Sequence, residues 1–461
     1  MSAPKSLFSK GSTISPSDMM SRSEAQAFLE RIVKMSKADS IGVQLNGGYQ
    51  GNIRFAANRI STSGGVSNSS LGIQSGYGAK HAVVTTSDFS AEGLERAVRQ
   101  SEAIAKLAPE DPENMPLLAP QKYQDVNAYF DTTANLTPAD RAAAAHTAID
   151  AAKAAGDLAA AGFIVAGGGY NAIASNTGMY AYFPTTSANY QLTVRTNDGT
   201  GSGWAGADHP DWRQIDFRAV SDRAIDKARR SRNPVAIEPG RYTVILESQA
   251  VGDLVQLLAF ALDARSADEG RSAFSKQGGG TKIGDKVVDS KVTLYSDPSD
   301  PQLLGQPWNG EGLPLSRETW IENGVLKQLQ YSRFWAQKKN ARATGGVGGV
   351  KMVGGEATTE QMIASTPRGI LVTRLWYLRP VDPRTVLYTG LTRDGTFLIE
   401  NGKITKAIKN LRFNESPLFM LNNLEMLGRP ERVAGTEAGG NVVFPTLKVR
   451  DFNFTSLSDA V

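Results

Sequence analysis

Between Tyr242 and Phe260 the chain passes without a break from a strand into a buried helix, and this junction constrains the fold more than any other stretch. Tyr242 to Leu246 reads as a strand. Beyond it, apolar residues at 250, 251, 254, 257, 258 and 261 fall on one side at helical spacing, so that face is buried. A strand running directly into a buried helix can hold a metal or a nucleophile in fixed geometry. The positions here with side chains for such chemistry are Ser248, Gln249 and Asp253. Only the carboxylate of Asp253 is a customary zinc ligand.

The elements around this junction predict an α+β protein. Helices are expected over Ser23 to Met35 and Ser90 to Leu107, with short strands between them at Ser40 to Leu45, Ile53 to Phe55, Ser70 to Tyr77 and His81 to Thr86. A proline-punctuated segment, Asp111 to Tyr129, reads as a linker. Thr137-Pro138 opens an Ala-rich helix to about Ala155, because Thr caps well and Pro suits the first helical turn. Alternating segments follow to Asn197, then a Gly- and Trp-rich loop from Asp198 to Arg213, then a helix from Ala219 to Arg230. The Gly runs at 167–169, 278–280 and 345–349 read as turns and hinges. From about Val235 the pattern is many short alternating runs, with Asn-Gly turns at 323–324 and 401–402. The expected division is a flexible tail over 1–21, an N-terminal α/β region with an antiparallel sheet over 22–110, a linker and middle α+β region over 111–233, and a C-terminal domain over 234–461. That last domain is expected to be a large, curved, antiparallel sheet, barrel-like, with few helices.

Composition narrows the function. A net charge of +4 across 461 residues, with no basic run longer than two, gives no nucleic-acid footprint. The absence of cysteine excludes disulfides and thiolate metal or redox sites, and suits a reducing compartment. No apolar run reaches the roughly 18 residues that a membrane-spanning helix needs. The first twenty residues lack the apolar core of a signal peptide, so the expected location is the cytoplasm. The three histidines, His81, His146 and His209, are too scattered to form a triad. Of these, only His209 in the Gly/Trp loop, with Trp204, sits where a binding rim would be.

The run Ser-Gln-Ala-Val-Gly-Asp at 248–253 is similar to a His-Glu-Ala-x-Gly-His segment. In order along the chain come Arg54 to Ile60, Ile104 to Pro109, Ser272-Ala-Phe-Ser275, Glu322-Asn-Gly324, Asn340 to Gly345, Ile399 to Gly402 and Pro445 to Val449. Together, over roughly residues 25 to 450, this set resembles the TldD/TldE (PmbA) family of zinc metallopeptidases. In metal-bearing members the two histidines ligate zinc, the glutamate is the base and a later cysteine completes the site. The resemblance places those roles on Ser248, Gln249, Asp253 and Ala434, and it places Gly345, Gly346, Gly348 and Gly349 near a substrate channel. It implies that this chain has lost the metal site, as TldE-type subunits have. The implied role is a catalytically silent subunit that binds no cofactor and pairs with a TldD-like, zinc-bearing peptidase around a chamber for unfolded peptides. A homodimer is the other pairing left open. Alternative readings are a peptidase working through Glu247 and Asp253, and a non-enzymatic homodimeric peptide-binding protein.

Overall fold

Capping chemistry sets the helix boundaries. In the computed structural model, which describes residues 19–434 and 441–458, helix α1 (Arg22–Met35) starts at Ser21, whose hydroxyl accepts the Glu24 N–H while the Glu24 carboxylate accepts the Ser21 N–H. Most of the tail expected over 1–21 lies outside the described residues. Its last members are ordered instead: Met19 and Met20 pack on a core and Ser21 is the cap. The remaining elements of the first half are β1 (Ser40–Ala56), β2 (Arg59–Tyr77), β3 (Lys80–Thr86), α2 (Ala91–Leu107), α3 (Asp131–Ala134), α4 (Pro138–Ala155), β4 (Leu158–Ser175), β5 (Tyr180–Thr196), β6 (Ser202–His209) and α5 (Phe217–Arg230). Thr137 and Asp140 form the capping box of α4, where the Thr-Pro signal predicts it.

The six strands form one antiparallel sheet in the order β3-β2-β1-β4-β5-β6. This sheet crosses the boundary expected at 110/111, since β1 pairs with β4 from Gly42↔Ser175 to Phe55↔Gly162. The short strands read from the sequence merge into long ones, and the glycines between them lie mid-strand. The run at 167–169 is not a turn. Gly167 sits in β4 against the Tyr49 carbonyl, where a Cβ would clash. The loop expected over 198–213 contains β6, paired with β5 from Ala188↔His209 to Arg195↔Ser202.

Alternation along β1 decides which face the helices cover. Ile41, Val43 and Leu45 join the core under α1 and α2, and Ile53 and Phe55 join the core under α4 and α5, all from odd-numbered positions. The opposite face carries Ile173, Ala181 and Phe183, which pack with Trp308 of the second half. That contact seats the first sheet on the C-terminal domain.

The C-terminal domain comprises β7 (Gly240–Leu246), α6 (Ser248–Val255), α7 (Ala264–Asp268), β8 (Leu294–Ser296), β9 (Glu318–Glu322), β10 (Val325–Leu326), α8 (Arg333–Lys339), β11 (Val350–Met352), α9 (Thr359–Ala364), β12 (Arg368–Val372), β13 (Leu375–Asp382), β14 (Leu387–Thr392), β15 (Thr396–Glu400), β16 (Lys403–Ala407), β17 (Leu411–Glu415), α10 (Pro417–Asn422), β18 (Leu424–Arg432) and β19 (Val442–Leu457). They build a 13-stranded sheet around β19 and β7. Most pairs are antiparallel, but β7–β12 and β11–β19 are parallel. Val244 and Leu246 face the main core with Val251, Leu254, Phe444 and Leu447. Ile245 faces the other side, with Met362 of α9. The strand-to-helix junction is thus the centre of the second domain.

Candidate functional site

The β7–α6 junction opens onto a cleft of about 250 Å³ between the two halves of the chain. Glu247 ends the strand. Its N–H donates to the Val372 carbonyl at 3.0 Å, and it occupies the N-cap position of α6 without a side-chain capping bond. Ser248 is the first helical residue, with its hydroxyl 3.4 Å from that of Thr446 on β19. Glu247 turns its carboxylate to Lys227 of α5, with Nζ to Oε2 at 2.6 Å. Lys227 also reaches the Trp204 carbonyl at 3.4 Å.

Three of the four motif positions, Ser248, Gln249 and Ala434, line this cleft together with Trp204. Ala434 packs against β6, where a Cβ on Gly206 would come within 2.8 Å of the Ala434 methyl. The fourth position does not join them. Asp253 is fully buried one turn along α6. Its Oδ1 accepts from the Gln249 amide at 2.9 Å and its Oδ2 accepts the Leu375 N–H at 3.1 Å. Gly252 lets α6 approach Val433, whose Cγ1 would lie 2.9 Å from a Cβ there.

Of the other sequence candidates, Trp204 shares this cleft, and His209 and the glycines of 345–349 do not. Trp204 is a buried wall whose ring stacks on the Arg374 guanidinium at 4.5 Å, with Trp376 on that guanidinium too, at 4.8 Å. His209 ends β6, and its Nδ1 accepts the Asp211 N–H at 2.9 Å. Burial, and then the Arg432 charge, lower its pKa, which favours the neutral ring. His209 does not line the cleft, nor do Gly345, Gly346, Gly348 and Gly349. Gly345 takes a positive φ of 70° beside Leu315, and Gly349 lies against the Asn441 carbonyl. Asp263, the next carboxylate along the chain after Asp253, caps α7 by accepting the Ser266 N–H at 2.7 Å. Sequence reasoning missed Lys227 and Thr446, which reach the cleft from a distant helix and a distant strand and carry no local motif.

This donor set does not suit zinc. A catalytic zinc takes three protein ligands from imidazole, thiolate and carboxylate. The cleft presents hydroxyls, an amide, a methyl and only two carboxylates, Glu247 and Glu431, with Arg223, Lys227 and Arg432 among them, and Glu247 is already paired with the Lys227 ammonium group. Among the described residues no group of three or more His, Cys, Asp or Glu is placed to hold a metal ion. Nor is any of their helices long and apolar enough to cross a membrane.

Comparison with known proteins accounts for this architecture. Residues 43–105, 131–232 and 239–456 match, respectively, domain 1, the central domain and the C-terminal domain of the PmbA/TldA metallopeptidases. A metalloprotease of Archaeoglobus fulgidus is 24% identical over 211 residues, which is 42% of this chain and 47% of that protein. Metalloprotease PmbA of Escherichia coli O157:H7 is 24% identical over 173 residues, covering 36% and 37%. The matched segments thus span less than half of these curated relatives. The crystal structure of TldE from Thermococcus kodakarensis superposes with a TM-score of 0.80 at 17% identity, covering 93% of this chain and 99% of that one, and so shares the fold. With the family's three domains matched in order along most of its length, the chain belongs to the PmbA/TldD metallopeptidase family.

Proposed function

We propose that this chain is a metal-free, TldE-like subunit that pairs with a metal-bearing TldD-like peptidase and contributes half of a chamber for unfolded peptides. The observation that carries this reading is the state of the single carboxylate among the motif positions. Asp253 is buried, and its two oxygens accept hydrogen bonds from Gln249 and Leu375. The neighbouring cleft holds the ammonium of Lys227, which opposes a divalent cation. Hydrolysis by metal-activated water therefore falls to the partner, which brings the zinc. This chain supplies walls and backbone for an extended substrate; recognition through main-chain hydrogen bonds tolerates many sequences.

The test is purification of the chain alone and after co-expression with a relative that carries His-Glu-x-x-x-His. Alone, it is expected to hold no stoichiometric zinc and to cleave no unfolded peptide. Together, the two are expected to co-purify and to cleave in a chelator-sensitive manner. One zinc per chain with chelator-sensitive cleavage by this chain alone would refute the proposal.

A further inference from the structure

Strand β7 has a second pocket at its other end. It holds about 580 Å³, within the roughly 300–1,000 Å³ of small-molecule sites. It lies between the start of β7, the end of β17, α10 and a kink in β19. Its walls include Arg241 of β7, Asn414 and Glu415 of β17, Phe419 of α10, Asn423 just beyond that helix, and Asp451 of β19. Arg241 stands six residues before Glu247, so about 20 Å of strand separates this pocket from the β7–α6 cleft.

The charges here are unmatched. Glu415 is only 5% exposed, and among the described residues its oxygens accept from backbone alone, the Ser416 N–H at 2.9 Å and the Asn453 N–H at 3.1 Å. Burial raises its pKa, and the Arg241 charge opposes that rise without forming an ion pair. Arg241 donates instead to the Asp451 carbonyl at 3.3 Å. The Asp451 carboxylate pairs with no cation among the described residues, and the side-chain amides of Asn414 and Asn423 have no hydrogen-bond partner there either. Elsewhere such groups are matched, as Lys227 is with Glu247 and Arg432 with Asp208.

The backbone is strained to put Asp451 at this place. The β19–β7 register shifts between Val449 and Phe452, and Asp451 takes a φ of 57°. A bulge re-aims a side chain, and a left-handed residue other than glycine persists only where its surroundings hold it; both features gather at binding sites. At the rim, Phe419 is 54% exposed and offers an apolar ring beside polar walls.

A guanidinium and two carboxylates, all unmatched around one cavity, suit a ligand that carries both signs of charge. A neutral polyol would leave them unpaired, a simple anion would face Glu415 and Asp451, and a simple cation would face Arg241. The Asn amides supply donors and acceptors for a peptide group, and Phe419 supplies a surface for an apolar side chain. We infer that this pocket binds a small zwitterion, a free amino acid or a dipeptide, with its carboxylate at Arg241 and its ammonium at Glu415 and Asp451. Molecules of this class are what peptide hydrolysis releases, yet the site belongs to this chain alone and its occupancy does not depend on a peptidase partner.

Ligand-observed NMR of the full chain with alanyl-phenylalanine tests this. Binding is expected with a dissociation constant below about 1 mM, and acetylating the amine or amidating the carboxylate is expected to weaken it at least about tenfold. Arg241→Gln is expected to weaken binding of the free dipeptide by a similar factor while leaving the dipeptide amide unchanged. Asp451→Asn, which keeps a residue that tolerates the left-handed backbone, is expected to weaken the free dipeptide and leave the N-acetyl form unchanged. Each variant is read against the capped ligand that no longer uses the altered group, so a misfolded protein cannot imitate the pattern. No binding of the dipeptide, equal binding of its capped forms, binding of maltose in its place, or variants that weaken free and capped forms alike would each overturn the inference.

Discussion

The carboxylate of Asp253 on α6 accepts the backbone N–H of Leu375 at 3.1 Å, tying the buried helix to the first residue of β13. The strand running from Arg368 breaks at Thr373 and Arg374 before β13 begins, so this N–H needs an acceptor from outside the sheet ladder. Asp253→Ala removes that acceptor and leaves a buried donor unsatisfied. The expected loss is about 1–3 kcal/mol, read as a lower urea midpoint at unchanged m-value. A midpoint equal to that of the unmodified chain would show that Asp253 is not structural.

Arg374 is the second test of this junction. Its guanidinium lies between Trp204 and Trp376 and bonds Asp394 at 2.9 Å, and Asp394 in turn accepts the Ser202 hydroxyl at 2.7 Å. The cluster therefore joins the first sheet to the second domain in a buried setting. Arg374→Ala removes the nearer cation from Asp394 and leaves it Arg393 at 3.7 Å and the Ser202 hydroxyl, so the expected cost is at most the about 3–5 kcal/mol of breaking a buried pair. Thermal unfolding followed by tryptophan fluorescence checks it.

Asp211 predicts a pH dependence. Hydrogen bonding from the Arg213 side chain, followed by Thr132 and the Arg213 N–H, lowers its pKa from the usual 3.8 to about 2. A depressed carboxylate pKa contributes stability that is present above about 3.8 and is lost as pH falls through about 2. Asp211→Asn is expected to cost up to about 2 kcal/mol at neutral pH, less whatever solvent screens at the exposed Arg213 end. The gap between variant and parent closes as pH falls from 4 toward 2. Urea melts across that window measure it, and a constant gap would contradict the assignment.

Gly167 tests the merged strands. Its missing Cβ leaves room for the Tyr49 carbonyl on β1, which is backbone and cannot swing away. Gly167→Ala is expected to cost at least the about 1–3 kcal/mol typical of overpacking. Gly348→Ala, where a Cβ meets nothing within 4 Å, serves as the near-neutral comparison. Equal unfolding midpoints for the two variants would argue against the long-strand register.

Local chemistry made several elements legible. Thr137, Pro138 and Asp140 announce α4 because a cap acts within one turn of its helix. The odd-numbered apolar residues of β1 mark its buried face for the same local reason. The β1 glycines concealed the strand's length. Gly47 and Gly51 look like breaks in the alternation, yet Tyr170 and Arg141 fill the space beside them from β4 and α4. A glycine kept free for a turn and one kept free for a neighbour's side chain are identical in sequence.

The candidate site divides in the same way. The residue types at 248, 249, 253 and 434 were set in the sequence, and with them the poverty of metal ligands, since a side chain's donor atoms do not depend on the fold. Tertiary structure alone decided that Ser248, Gln249 and Ala434 share a cleft, that Asp253 is spent on Leu375, and that Lys227 arrives from another domain to pair with Glu247. Those outcomes depend on contacts between residues 20 to almost 200 positions apart, and no periodicity or spacing along a chain encodes a distance of that kind.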